Sequence, residues 1–344
     1  MVVMRSDFGG SGNGDGAGPP RILGGLSVTT AGLDGEHLGT DEAEIVMLSL
    51  VTVDTHSNKI RAVHRTLVQP LQLAKVNWEL LSQRGLTEDD IKSADILPGA
   101  LQQMEAFLTD QLTSLCSGEV ASLGLVTDGP LPLRQVLHPE ALNKDYILSQ
   151  PFWSYYDIRK ELGKLYNNNE TITNVPDVLK ALNLSTASEN DSPYGLQHCE
   201  ELGTAICHVL HEAQTKGIDC FSEPEIVKSV LEHGICCKTD TVDNSTVVRA
   251  RGLPWQSSDH DVAKFFIGLN IARGGVALCL GNEGRRNGEA LVRFETSEHR
   301  DLALRRHRHF MGNRYIEVYR AFGQDFIDVA AGVFPRRKHD CVWL

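Results

Sequence analysis

The stretch from Val247 to Tyr319 constrains this 344-residue chain more than any other. It opens with VVRARGLPWQ, passes through GNEGRRNGEALVRF and closes with GNRYIEVY. Thr246 to Arg251 is β-branched and strand-like, and the GLPW that follows reads as a turn. Ser258 then begins a helical run, with Asp261 three residues on as in a capping box and Val262, Phe265 and Phe266 on one face. Asn270 to Leu280 reads as a second strand, and EALVRFE as a third beyond a turn-rich loop. Ser297 is placed to cap the helix HRDLALRRHRHF, and NRYIEVYRA reads as a fourth strand. The order is β-α-β-β-α-β.

Charge sets this stretch apart. Residues 246 to 320 hold 13 Lys+Arg against 8 Asp+Glu, whereas the whole chain carries a net charge of −12. The first 245 residues are therefore strongly acidic, and contact with phosphate falls to the one basic segment. With 41% hydrophobic residues the chain has enough apolar side chains for a substantial core, and its length suits two domains. No run of about 18 apolar residues occurs, and MVVMRSDFGGSGNGDGAGPP lacks a basic segment followed by an apolar one, so neither a membrane span nor a secretory signal is expected. Eight scattered cysteines form no CxxC pair, and no histidine has zinc-site spacing. A reduced, intracellular protein without metal or cofactor is the expectation.

The basic segment resembles an RNA recognition motif (RRM) in its element order. Standard RRMs stack bases on aromatics of the two central strands, each stack worth about 1–3 kcal/mol. Here Arg249 stands at the first-strand position, and Glu289 and Leu291 stand where the third strand should carry two aromatics. The loops offer another route. RGLPWQ, RRNGEALVRF and NRYIEVY resemble the quasi-RRMs of the heterogeneous nuclear ribonucleoprotein F and H family, which hold short G-rich strands in their loops. By that resemblance Arg251, Trp255, Arg285, Arg286, Arg314 and Tyr315 form the RNA site. The chemistry is consistent, because aromatic faces stack on bases and guanidinium forks match guanine O6 and N7. Trp255 has a blander alternative, closing a turn over the core.

Upstream, residues 1–20 are Gly-rich and expected to be disordered. RILGGLSVTTAGL, AEIVMLSLVTVD and KIRAVHRTLVQP read as three strands, followed by alternating helices and strands up to the helix GLQHCEELGTAICHVLHEA. This order resembles the ribonuclease H-like fold of proofreading-type 3′ to 5′ exonucleases over residues 21–215, a mixed sheet with flanking helices. The resemblance places SVTTAGL at the first motif, TDGPLPL at the third and GLQHCE at the last. Two-metal hydrolysis needs four converging carboxylates and a base. At those positions stand Ser27, Thr29, Pro132 and Glu200, with Gly195 in place of the histidine, so no catalytic residue is assigned. Rescue by Asp34, Asp41, Glu42 or Asp128 is conceivable, although solvated turn and cap roles suit them better. Residues 216–245 read as a linker in which SEPEIVKSVLEHG is one helix, capped by Ser222 and ended by Gly234.

The pairing of an exonuclease-like domain with VVRARGLPWQSSD and LNIARGGVALCL is similar to the epithelial splicing regulatory protein family. That resemblance implies a nuclear regulator of alternative splicing that recognises single-stranded GU- or G-rich pre-mRNA through residues 246–322. It also implies splicing-factor contacts through the acidic domain, with no membrane and no cofactor. The family carries three RRMs and this chain only the first, so it reads as a short form. Residues 323–344 read as a C-terminal tail whose final CVWL has the shape of a prenylation box, with Trp343 a poor fit. Two rivals stand beside this reading: an active 3′ to 5′ exonuclease guided by the RRM, and a protein-binding RRM scaffold.

Overall fold

In a computed structural model that describes residues 18–115, 122–166, 174–182, 184, 194–281 and 283–332, the chain divides into two compact units, Met1–Ile226 and Val227–Leu344. Most of the Gly-rich tail over residues 1–20 and the final CVWL lie outside the described residues.

The first unit is built on β1 (Ile22–Thr30), β2 (Ile45–Asp54) and β3 (Lys59–Leu67), the three strands legible in the sequence. After them come α1 (Trp78–Gln83), α2 (Glu88–Lys92) and α3 (Leu97–Leu115). Thr87 caps α2, its side chain accepting from Asp90 N–H. β4 (Leu123–Thr127) leads into a π-helical turn over Pro132–Leu137 and α4 (His138–Asn143); β5 (Ser154–Asp157) leads into α5 (Ile158–Leu165). α6 (Val175–Ala181), α7 (Leu196–Lys216) and β6 (Glu225–Ile226) complete the unit.

The sheet order is β3-β2-β1-β4-β5-β6. β1 pairs antiparallel with β2 and parallel with β4, which makes the mixed sheet of the ribonuclease H-like expectation. All ten residues of β2 are buried, so both faces of the sheet are covered, because successive side chains point to opposite sides. Small residues set how closely α7 lies on it. A Cβ on Gly25 would stand 2.8 Å from Val51 Cγ1 and 3.0 Å from Leu202 Cδ2, and one on Gly203 would stand 2.7 Å from Val51 Cγ2.

The helix expected over Ser222–Gly234 does not form. Glu225 and Ile226 extend the sheet instead, pairing with Tyr155 and Ser154. The Glu225 carboxylate accepts from Tyr155 O–H at 2.7 Å and pairs with the fully buried Arg134 at 3.3 Å. This buried network outweighs the weak helical pattern, since Arg134 would otherwise be an uncompensated charge.

The second unit is a four-stranded antiparallel sheet in the order β12-β7-β9-β8. Its elements in sequence are β7 (Val247–Arg251), α8 (Asp259–Phe265), β8 (Ile271–Leu280), β9 (Arg286–Phe294), α9 (Ser297–Leu304), β10 (Phe310–Met311), β11 (Arg314–Tyr315), β12 (Glu317–Arg320) and α10 (Gly323–Ala330). The capping box of Ser258 and Asp261 is present, and Thr296 rather than Ser297 caps α9. Val248, Ala250, Val262, Phe266, Phe294, Leu302 and Ala303 are buried, with Phe266 and Phe294 in edge contact at 5.4 Å. His299 is buried too.

Two features depart from the sequence reading. The fourth strand splits: Arg314 and Tyr315 form a hairpin with Phe310 and Met311, and only Glu317–Arg320 joins the main sheet. The tail expected from residue 323 begins with a helix, α10, whose Phe326 is fully buried.

Candidate nucleic-acid interface

The sheet face of the second unit carries Val247, Arg249 and Arg251 on β7, which pair with Arg293, Leu291 and Glu289 on β9. α10 lies on this face. Its Phe326 shares one apolar cluster with Val247, Ala277, Cys279, Leu291 and Ala321, and Arg293 stands over the Phe326 ring at 5.5 Å. Arg249 pairs with Glu289 at 2.9 Å and approaches Asp325 of α10 at 3.9 Å. The surface on which a standard RRM stacks bases is therefore both without aromatics at its key positions and covered.

At one end of the same sheet three loops meet. Gly252 and Leu253, just after β7, both donate to Gly288 O at 3.0 Å, and Arg314 Nε donates to Gly252 O at 2.8 Å. Gly252 (φ +93°) and Gly288 (φ +79°) adopt left-handed conformations that favour glycine. A Cβ on Gly252 would also stand 3.0 Å from Tyr315 O. The glycines let the loops close on one another.

The groove between them, with a volume of ≈ 480 Å³, is lined by Arg251, Gly252, Leu253, Trp255, Asn287, Gly288, Glu289, Asn313, Arg314, Tyr315 and Glu317. Leu253 is buried beneath the loop, whereas Trp255 is 68% exposed and Tyr315 56%. Trp255 does not close a turn over the core. The Arg251 guanidinium pairs with Glu289 at 3.1 Å, which fixes its orientation at the groove wall.

Four of the six residues expected from sequence thus share one groove: Arg251, Trp255, Arg314 and Tyr315. The other two do not line it. Arg286 Nη1 donates to the carbonyls of Gln256 and Ser257 at 3.1 and 2.5 Å, so it fastens the Trp255 loop from behind. Arg285 is exposed in the β8–β9 turn, with Glu283 3.9 Å away. Basic residues do other structural work as well. Buried Arg306 donates to Phe265 O and Ile267 O, both at 2.7 Å, and satisfies the end of α8.

The first unit holds a separate cleft of ≈ 440 Å³ at the far end of β1, lined by Ser27, Thr29, Asp34, Asp128, Pro132, Arg159, Asn174, Tyr194, Gly195 and His198 among others. Glu200 does not line it. Gly195, at the position of the general-base histidine in the resemblance, has φ +86°, and a Cβ there would stand 2.2 Å from Met47 Cε. The neighbouring carboxylates are engaged. Asp128 pairs with Arg159 at 2.8 Å and accepts from Val175 N–H at 3.1 Å; Asp34 pairs with Arg84; Asp41 accepts from Leu33 N–H at 2.8 Å. Among the described residues no group of three His, Cys, Asp or Glu is placed to hold a metal ion, and no helix is long and apolar enough to cross a membrane.

Residues 248–338 match the family model of the RRM domain. The match runs past β12 and through α10, so the helix on the sheet lies within the matched span. The human G-rich sequence factor 1 is 37% identical over 105 residues, which are 30% of this chain and 20% of that protein. Rat heterogeneous nuclear ribonucleoprotein H is 39% identical over 92 residues, 27% of this chain and 20% of that one. The chain spans about a fifth of the length of these curated relatives. Among solved structures, a 3′-exonuclease described as recognising the 3′ end of the histone mRNA stem-loop aligns at 18% identity, with a TM-score of 0.48, over 61% of this chain and 92% of its own. The chain therefore holds an RRM domain over residues 248–338, after a unit built on a six-stranded mixed sheet.

Proposed function

We propose that this chain is an RNA-binding regulator of alternative pre-mRNA splicing that grips GU- or G-rich single strands in the loop groove of its RRM. One observation carries the reading: Trp255 and Tyr315 hold exposed ring faces at one groove, beside Arg251 and Arg314, while α10 occupies the sheet face. Aromatic faces bind bases through stacking, and guanidinium forks favour guanine. The RRM relatives named for G-rich sequences and for nuclear ribonucleoprotein H support G-rich RNA as the ligand. Splicing control and a nuclear location rest on the resemblance to the epithelial splicing regulatory proteins, and the RNA site at Arg251, Trp255, Arg285, Arg286, Arg314 and Tyr315 on the resemblance to the quasi-RRMs of the heterogeneous nuclear ribonucleoprotein F and H family. Within that set, Arg286 acts by positioning the Trp255 loop.

The exonuclease-like unit serves in this proposal as a non-catalytic scaffold for protein partners. Ser27, Thr29 and Pro132 offer no metal-binding carboxylate, and Gly195 offers no side-chain base. Titrating the full chain with labelled G-rich, GU-rich and A-rich oligoribonucleotides tests the binding: preference for the first two is expected, and equal affinity for all three would remove the proposal. Adding Mg²⁺ or Mn²⁺ to the same mixtures is expected to leave the RNA intact, and metal-dependent shortening from the 3′ end would overturn the scaffold role.

A further inference from the structure

We infer that Phe310 provides a further base-stacking position, which lengthens the RNA site by one nucleotide beyond the loop groove. The inference rests on the proposed groove reading. Phe310 and Tyr315 are direct cross-strand partners in the β10–β11 hairpin, so their side chains emerge on the same face. Both are 56% exposed. Tyr315 lines the groove together with Trp255, and its cross-strand partner Phe310 stands next to Tyr315 just outside that lining.

The exposed part of the Phe310 ring has burial still to gain, because a large apolar ring gains most when it is removed from water. A base stacked on it would cover that surface. Successive bases on a single strand suit successive rings, and the interaction tolerates any base since every base has a π-face. The Phe310 position therefore adds affinity without adding sequence preference, while the guanidiniums in the groove select guanine.

The test uses the full chain and a series of G-rich oligoribonucleotides of two to six nucleotides, with wild type, Phe310→Leu and Trp255→Ala compared. Leucine keeps an apolar partner for Tyr315 across the hairpin but offers no ring. Wild-type affinity is expected to rise with length to a plateau, and Phe310→Leu to reach its plateau one nucleotide earlier, weaker there by roughly 5-fold or more. Below that length the two proteins should bind equally. Replacing the terminal guanine by uracil or adenine should preserve the Phe310 increment. A Phe310→Leu protein weaker by the same factor at every length has lost hairpin structure only, and identical plateaus leave Phe310 without a role; either result overturns the inference. Absence of wild-type binding at all lengths removes the groove reading with it, whereas loss at every length in Trp255→Ala alone leaves the groove standing.

Discussion

Two side chains of opposite exposure differ in what they do. Trp255 is 68% exposed and contributes little to the core, so its replacement separates binding from folding. Trp255→Ala is expected to weaken G-rich RNA by about 1–3 kcal/mol, the worth of one stack, while thermal unfolding stays within about 0.5 kcal/mol of wild type. Fluorescence anisotropy beside calorimetry measures both, and a matching loss of stability would place Trp255 in the fold rather than the site. Asp157 is the opposite case. It caps α5 by accepting from Arg159 N–H at 3.0 Å, yet burial pushes its carboxyl up to about 6. A carboxyl whose folded value lies above its unfolded one favours the protonated fold, so this penalty is absent at acid pH, grows as pH rises toward 6 and is complete above it. Asp157→Asn keeps the capping oxygen and carries no charge. It is expected to raise the melting temperature at pH 7.5, with the gain gone near pH 4; a gain independent of pH would mean that burial of charge is not the cause.

The elements differ in how much of them a sequence displays. Long apolar strands such as β2 and helices with a steady stripe such as α7 were legible because their periods follow from burial on two faces or one. The loop groove was legible through its glycines and through the aromatic and arginine residues between them. α10 was not, although Phe322, Phe326, Ile327 and Ala330 have helical spacing and the Asp325 carboxylate accepts from Phe322 N–H at 3.3 Å. Eight residues carry a weak periodic signal, and the partner that stabilises this helix is a sheet face visible only once β7 and β9 are paired. The split of the fourth strand was hidden for a related reason, since NRYIEVY has one pattern across the hairpin and the sheet. The helix makes a prediction of its own. Phe326→Ala removes a fully buried ring and is expected to cost about 3–5 kcal/mol in the second unit. RNA affinity measured below the unfolding transition should not change, because the groove lies at the loops. An affinity that rises when the sheet is uncovered would mean that the sheet face binds RNA and that α10 competes with it.

Across the whole molecule the two units have opposed electrostatics. Residues 1–226 hold 31 Asp+Glu against 15 Lys+Arg, whereas the RRM strands, helices and loops of 246–320 have an excess of positive charge. A polyanion approaching the groove is therefore repelled by the chain that carries the groove. Such repulsion is long-ranged at low ionic strength and fades when the Debye length shrinks to a few ångströms near 1 M salt, while stacking on Trp255 and Tyr315 does not depend on salt. Residues 227–344 alone are expected to bind G-rich RNA more tightly than the full chain at about 30 mM salt, with the two affinities converging by about 0.5 M. Their salt slopes should differ in the same sense, and removing one guanidinium by Arg251→Ala or Arg314→Ala should lower the slope of either protein by about 0.7. If the fragment instead binds more weakly at every salt concentration, the acidic unit contributes RNA contacts of its own, and its cleft around Ser27, Arg159 and His198 becomes the place to look for them.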